Sequence, residues 1–563
     1  MKILIFLNGH VISPGLGNYG PVSGATSRPV PRHPRYREVM TAWPRRGLTA
    51  TGSLALASLL CVLGGGLAAA APPAAQPAGP ASWTVYHGAA DGAGVAGPVA
   101  AVDTTAPAWT SPALDGELYG EPLVSSGHVY VATENNTVYA LSAATGAVLW
   151  STHIASPVPS ADLPCGDIAP TVGITGTPVI DASRGEIFVV ADELVDGRPA
   201  HMFTGLSAAT GKVEVTQDVD PAGADPAGLL QRTGLTLDDG EVVFAMGGNE
   251  GDCASYRGRV IAEPETGGTP KTFTVDAAAD ESQGAIWMGG AAPVVDSSGD
   301  IWVTAGNGSV FSYRHPYDDS DSILELSPSL ALVQFFAPTT WATDNSQDLD
   351  MSAAPALLPD GQVILTGKSR IAYLLSQARL GGIGGQRAEL GSACGGDVDG
   401  GVAVQGMTVY LPCTSGITAV RAVKSPAALH LLWSSGTGGG PPIVAAGLVW
   451  TISRSGVLYG LNPATGAVAQ QASIGAPANH FSTPSVADGL LLAPSADNVV
   501  AFTAFSSASA YASASAAASA AASAGGSGGG LPARALVGIV IAALALVGLT
   551  GWLVWRRRST GSG

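Results

Sequence analysis

An internal repeat constrains the fold of this chain more than any other feature. Residues 129–150 read VYVATENNTVYALSAATGAVLW, which alternates like β-strands and is broken by a tight turn and a Thr-Gly turn. The block recurs in decayed form eight times, and its second strands begin near 138, 202, 260, 323, 371, 417, 457 and 498. The later copies are about 40–48 residues apart, the length of a four-stranded propeller blade. Residues 83–503 are therefore predicted to form an all-β, eight-bladed β-propeller, with seven blades as the alternative.

The turn and the tryptophan of the repeat have distinct structural roles. Gly146 is expected to take the φ > 0 position of the turn between the outer strands, and Trp150 to pack between neighbouring blades. The eighth copy ends after its third strand, near Phe502, whereas residues 107–112 (PAWTSP) look like an orphan outer strand. If this strand completes the eighth blade, the two ends of the propeller close the ring and remove its open edges.

The charge of the central part argues against one class of partner. The chain carries 75 Gly, 39 Pro and a formal net charge of −17. Residues 71–530 hold 15 basic and 42 acidic side chains, a net charge of −27. A surface of that sign repels phosphate backbones, so we expect no nucleic-acid binding.

The N-terminal region resembles an export signal. An apolar run at 53–70 follows the arginine pair 45–46 and leads into small residues, which is the pattern of a secretory signal peptide. Met40 precedes the arginines by five residues, and a start there would give a signal peptide of ordinary length over 40–75. We therefore interpret residues 1–39 as a mis-called start or an extension.

The C-terminal region predicts a membrane anchor. Residues 535–555 carry no charge and, as a helix, would be about 31 Å long, enough to cross the hydrocarbon core of a bilayer. Three arginines open the tail 556–563, and positive charge stays cytoplasmic. Residues 504–530 are almost all Ser, Ala and Gly and should form a stalk. We expect a single-pass type I protein of the cell membrane, with an extracytoplasmic propeller.

The cysteines agree with an oxidising compartment. Outside the apolar run there are four, Cys165, Cys253, Cys394 and Cys413, which allow three disulfide pairings. We favour Cys165–Cys253, which would join long loops of neighbouring blades. The remaining two cysteines would then form Cys394–Cys413, which would close a short β segment within one blade region, with a turn at 405–407.

The repeat resembles a known superfamily. The string ALSAATGAVLW at 140–150 is similar to the tryptophan-docking repeat of the quinoprotein-like, or pyrroloquinoline quinone repeat, propellers, and WTVYHGAADGAGVAG at 83–97 is similar to the segment that opens many of them. That superfamily contains both quinone-dependent alcohol dehydrogenases and non-enzymatic propellers of outer-membrane assembly. The resemblance therefore implies the fold but leaves the activity open.

The resemblance also implies a candidate site in the central funnel. By their local strings, Glu193, Asn307 and Asp350 resemble the calcium ligands of the dehydrogenases, and Asp350 also resembles their catalytic base. Trp287 resembles the tryptophan beneath the quinone ring, and Lys368 the basic residue that contacts the quinone oxygens. Oxygen ligands suit Ca²⁺, and a carboxylate can take a proton from an alcohol.

Two functions from different classes are compatible with these features. We favour a non-catalytic binding or scaffold module that needs no cofactor, is monomeric, and binds a protein or small molecule on the propeller face. The alternative is an alcohol or sugar dehydrogenase that depends on pyrroloquinoline quinone and Ca²⁺. No C-x-x-C-H haem motif occurs in the sequence, so such an enzyme would pass its electrons to a separate acceptor.

Overall fold

A computed structural model of the chain describes residues 81–507, together with 509–510, 512–516 and 519. The predicted extension 1–39, signal peptide 40–75, anchor 535–555 and tail 556–563 lie outside the described residues, as does most of the predicted stalk. Within the described part, no helix has the length and apolar character needed to cross a bilayer.

The described residues are mostly short β-strands. The first half of the chain contains β1 (Ala101–Asp103), β2 (Trp109–Thr110), β3 (Leu123–Ser125), β4 (His128–Ala132), β5 (Thr137–Ser142), β6 (Val148–His153), β7 (Val158–Pro159), β8 (Thr171–Val172), β9 (Val179–Asp181), β10 (Glu186–Val195), β11 (Arg198–Ser207), β12 (Val213–Asp218), β13 (Leu229–Leu230), β14 (Thr236–Asp238), β15 (Glu241–Gly248), β16 (Arg259–Pro264), β17 (Lys271–Thr274), β18 (Val294–Val295), β19 (Ile301–Ala305), β20 (Ser322–Leu326) and β21 (Leu332–Ala337). The helix α1 (Trp341–Gln347) comes next. The remaining strands are β22 (Ala356–Leu357), β23 (Gln362–Leu365), β24 (Ala372–Ser376), β25 (Gly382–Ile383), β26 (Ala388–Leu390), β27 (Ala403–Gln405), β28 (Thr408–Cys413), β29 (Gly416–Lys424), β30 (Ala427–Ser434), β31 (Ile443–Ala445), β32 (Leu448–Ile452), β33 (Val457–Leu461), β34 (Val468–Ser473), β35 (Ser485–Ala487), β36 (Leu490–Ser495) and β37 (Asn498–Phe505).

These strands form eight antiparallel blades, which confirms eight rather than seven. Blades 1 to 8 are in turn β3–β6, β9–β12, β13–β17, β18–β21, β22–β24 with β26, β27–β30, β31–β34, and β35–β37 with β1 and β2. Each blade runs from an innermost first strand to an outer edge strand, which is β17 in blade 3 and is shared by β1 and β2 in blade 8. β25 adds to the outer edge of blade 4, and β7 pairs with β8 outside the blades. Large apolar side chains such as Phe188, Trp302 and Trp450 are fully buried in the sheets.

The ends of the propeller close the ring in blade 8, as the orphan strand at 107–112 indicated. β36 pairs with one edge of β37, and both β1 and β2 pair with its other edge. Trp109, for example, lies opposite Ala501. The first and last strands of the ring therefore share one sheet.

The Thr-Gly turns hold neighbouring blades together. Gly146 has φ +71°, and a Cβ there would overlap the indole of Trp109, which also donates a hydrogen bond from Nε1 to the Ala143 carbonyl at 2.8 Å. The same docking joins two further pairs, Trp150 with Gly211 and Trp433 with Gly466. The glycine is thus required both for the turn and for the ring stacked on it.

Residues 83–97, here called the axial segment, run along the inner strands of the ring. Trp83 pairs with Val124 of blade 1, and Val95 pairs with Val444 of blade 7. Between them, the segment accepts backbone hydrogen bonds from three further inner strands, at Ile180, Val295 and Val404. The segment therefore contacts blades far apart in sequence and fills the axis of the propeller.

Both predicted disulfides are present. Cys165 and Cys253 join loops from two neighbouring blades, with Cα atoms 6.2 Å apart, and Cys253 is exposed. Cys394 and Cys413 are buried within one blade region.

Candidate functional site

Three of the predicted site residues form a connected group beside the ring axis. Asp350 is fully buried, and its Oδ1 accepts a hydrogen bond from the backbone N–H of Asn307 at 2.7 Å. Its Oδ2 forms an ion pair with Nζ of Lys368, which also lies 3.1 Å from Oδ1 of Asp348. The Asp350 carboxylate is therefore engaged at both oxygens by the protein itself.

Trp287 completes this group. Its Nε1 donates to the Gly248 carbonyl at 3.0 Å, which fixes the ring, and Lys368 Nζ lies 5.7 Å from the ring centroid. Trp287, Asn307, Asp350 and Lys368 therefore lie in one neighbourhood, although they are up to 81 residues apart in the sequence.

Glu193 lies apart from the other four. It is in β10, opposite Ala200, and pairs through its backbone with Pro157. No hydrogen bond or ion pair joins it to Asn307 or Asp350 anywhere in the described structure. Burial, followed by the charge of Asp192, raises the pKa of Glu193 to about 7.

The ionisation of the central pair follows from burial and charge. Burial raises the pKa of Asp350 to about 6, and the opposite charge of Lys368 limits that rise. Burial acts to lower the pKa of Lys368, but the Asp350 carboxylate outweighs it and holds that pKa above its usual range. At neutral pH the two groups therefore form a charged pair.

The ligands predicted for Ca²⁺ do not fit that role as a set. Asp350 is held by Asn307 through Oδ1 and by Lys368 through Oδ2, Glu193 makes no hydrogen bond or ion pair with Asp350 or Asn307, and the buried Oδ1 of Asn307 lacks a hydrogen-bond partner. Among the described residues, no group of three or more His, Cys, Asp or Glu side chains is placed to hold a metal ion. Trp287 and Lys368, by contrast, are arranged as a flat ring with a cation above it, which suits a planar ligand.

A cavity of about 190 Å³ lies against this group. Trp287 and Lys368 are the two predicted residues that line it. Its remaining lining comes from the ends of β13 and β15, at Leu230 and Gly248, and otherwise from connections around the ring: Asp167, Arg232, Glu250, Gly289, Ser352, Asp399, His480 and Phe481. A second cavity of about 280 Å³ shares Asp167, Arg232 and His480 with the first. The two together form the funnel of the propeller.

The funnel wall carries side chains that sequence reasoning missed. Arg232 stacks on Phe481, with its guanidinium carbon 4.3 Å from the ring centroid. His480 Nε2 is 3.8 Å from Asp399 Oδ2. Burial acts to raise the pKa of Asp399, but hydrogen bonds from His480 and Ser352 lower it overall.

One acidic residue of the wall had a signal in the sequence. Glu250 lines the cavity and follows β15 of blade 3 by two residues, whereas Glu193 lies within β10 of blade 2, two residues before its end. Both acids are close to the end of a comparable strand, so the repeat offered either position. Glu250 differs from Glu193 in belonging to blade 3, the blade that immediately precedes Trp287 in the sequence.

These observations define an eight-bladed β-propeller, and the resemblance to the quinoprotein-like propellers seen in the sequence is confirmed. Residues 95–316, under half of the chain, match the family described as outer membrane protein assembly factor BamB. No curated protein matches the chain in sequence.

Several solved structures share the fold at low sequence identity. The quinohemoprotein alcohol dehydrogenase of Pseudomonas putida HK5 is 15% identical with a TM-score of 0.56, covering 76% of this chain and 81% of its own. The enzyme from Comamonas testosteroni is 14% identical with a TM-score of 0.55 and the same coverage. A europium-containing methanol dehydrogenase is 14% identical with a TM-score of 0.54, covering 75% of this chain and 98% of its own. At such identities, the likeness extends to the fold alone.

Proposed function

We propose that this protein is a membrane-anchored, extracytoplasmic β-propeller that acts as a non-catalytic binding module, with a small ligand in its central funnel. The observation that carries the proposal is the state of Asp350. Its Oδ1 accepts a hydrogen bond from Asn307 and its Oδ2 is paired with Lys368, so a metal ion or a substrate hydroxyl would have to compete with Lys368 for this carboxylate. The cavity beside it still has polar and aromatic walls suited to a ligand.

A quinone-dependent dehydrogenase is the second candidate. Lys368 above Trp287, next to Asp350 and the unpartnered amide oxygen of Asn307, favours it. If bound, the quinone would supply the redox chemistry. Trp287 would then support its ring, and Lys368 would lie at its rim.

Addition of pyrroloquinoline quinone with Ca²⁺ separates the two candidates. We expect the melting temperature of the purified protein to stay unchanged, because specific binding to the native state would raise it. A rise, accompanied by dye-linked alcohol oxidation that Asp350→Asn abolishes, would instead establish the dehydrogenase.

The cellular position is a proposal of its own, supported by the sequence pattern at both ends. We expect protease added to intact cells to release a soluble fragment that ends within 504–530. If the propeller is protected until the cells are lysed, the orientation is the reverse.

A further inference from the structure

We propose that the funnel binds a small zwitterion such as an α-amino acid, with its carboxylate at Arg232 and its ammonium group between Asp167 and Glu250. The inference rests on the proposed binding function and adds a ligand class to it.

Arg232 forms the cationic side of the cavity. Its residue is only 8% exposed, and its guanidinium makes no hydrogen bond or ion pair with any described residue. A guanidinium carries five N–H donors, and those of Arg232 are not among the buried unpaired atoms, so they are accessible from the cavity that the residue lines. Phe481 stacks on one face, so the N–H edges are left for an acceptor that the protein does not provide. A carboxylate matches that planar edge with two parallel hydrogen bonds.

The other cationic side chains that line the cavity already have acidic partners. Lys368 is paired with both Asp350 and Asp348. His480 faces Asp399. Glu134, which is close enough to influence Arg232, has its pKa raised by burial to about 8 and is therefore mostly neutral at pH 7. Asp167 and Asp399 also lie close enough to influence Arg232, but neither forms an ion pair with it, so its N–H groups remain open to a ligand carboxylate.

Asp167 and Glu250 form the acidic side. Both line the cavity, both are exposed to it, and neither has an ion pair or hydrogen bond to its side chain within the described residues. The Cys165–Cys253 disulfide lies two residues from one and three from the other, and it holds their loops together. A plain anion at Arg232 would meet these two carboxylates unfavourably, whereas an ammonium group attached to the same ligand would pair with them.

The size and walls of the cavity set the rest of the ligand. Its volume of about 190 Å³ is below the ~300–1,000 Å³ usual for larger organic ligands. Trp287, Phe481 and Leu230 supply apolar surface between the two charged sides. An amino acid with an aromatic or large apolar side chain fits these limits.

L-Phenylalanine is the probe for the full-length protein in detergent. We expect it to raise the melting temperature and to bind at least tenfold more tightly than N-acetyl-L-phenylalanine, which lacks the ammonium group, or L-phenylalaninamide, which lacks the carboxylate. A charged hydrogen bond of the usual strength corresponds to that ratio or more. Equal binding of the acetylated compound would replace the proposal with a simple anion site, and equal binding of the amide would replace it with a cation site.

Variants test the assigned residues. Arg232→Met should lose phenylalanine binding, and Glu250→Gln should weaken it several-fold. Arg421→Met removes an exposed arginine of β29 that lines neither cavity and should leave binding unchanged, which controls for net charge. Without ligand, Arg232→Met should melt at about the temperature of the wild type, because the guanidinium makes no hydrogen bond or ion pair within the protein. A lower melting temperature would show that Arg232 is a structural residue and would overturn the proposal.

The results of these experiments distinguish failure of the zwitterion proposal from failure of the proposed binding function. If phenylalanine does not bind but an uncharged compound binds in the funnel, the zwitterion is wrong and the binding module stands. If only pyrroloquinoline quinone with Ca²⁺ binds, and alcohol oxidation is then observed, both proposals fail.

Discussion

A chain that ends at Asp497, just before β37, is expected to form no folded monomer. β37 supplies Val499, Val500 and Phe502 to the core, and burial of these three side chains contributes about 5–9 kcal/mol. That amount is comparable with the whole stability of a typical domain, about 5–15 kcal/mol. Loss of β37 also leaves β1 and β2 without a partner and exposes one edge of β36, which promotes aggregation.

Two truncated chains make the comparison. Residues 76–507 keep the complete ring, whereas residues 76–497 lack the closing strand and the two residues after it. Size-exclusion chromatography and near-ultraviolet circular dichroism should show a folded monomer for the longer chain and aggregated or unfolded material for the shorter one. A monomeric 76–497 with the same melting temperature would mean that closure in blade 8 does not hold the ring together.

Replacement of His201 by Gln is expected to cost roughly 3–5 kcal/mol near pH 6, the usual effect of breaking a buried ion pair. His201 is fully buried, with Nε2 3.0 Å from Asp192 Oδ1 and Nδ1 2.7 Å from Asp220 Oδ1. Burial acts to lower its pKa, but the two carboxylates, Asp192 foremost, raise it to about 10. The substitution leaves both acids without their cation.

The pH dependence has a definite sign. A raised histidine pKa stabilises the fold fully below the unfolded value of about 6.5, and the contribution is lost as pH rises to about 10. Urea unfolding at pH 6, 8 and 10 should therefore show the wild type and His201→Gln converging. His430→Gln, at an exposed position of β30, is the control and should follow the wild type. Parallel curves for His201→Gln and wild type would exclude a charged His201.

The ring could be predicted because its determinants are local. The turn at Gly146 and the tryptophan four residues later recur with the blade, so spacing alone indicates strands, blade count and the docking of one blade on the next. The orphan strand at 107–112 was recognisable because blade 8 otherwise lacked an outer strand. The cysteine pairing followed from blade adjacency, since loops of neighbouring blades meet.

The funnel was less predictable because its wall is built from connections rather than strands. Arg232 and Phe481 are about 250 residues apart and carry no motif, so their contact follows only from the closed ring. Glu193 and Glu250 occupy similar places in successive blades, and the local sequence around each does not indicate which of them lines the funnel. The ion pair between Lys368 and the Asp350 carboxylate depends on side-chain geometry, which cannot be predicted from the spacing of residues in the sequence.

The axial segment places a condition on the order of folding. It is synthesised before any blade, yet Tyr86 accepts a hydrogen bond from Gly401 in blade 6, and His87 lies 3.4 Å from Thr483 beside blade 8. Contacts across such long stretches of sequence form slowly, because the intervening chain must first be brought into place. Tyr86 and His87 therefore cannot make these contacts until almost the whole propeller has left the ribosome. In every shorter nascent chain, both side chains lack these native partners.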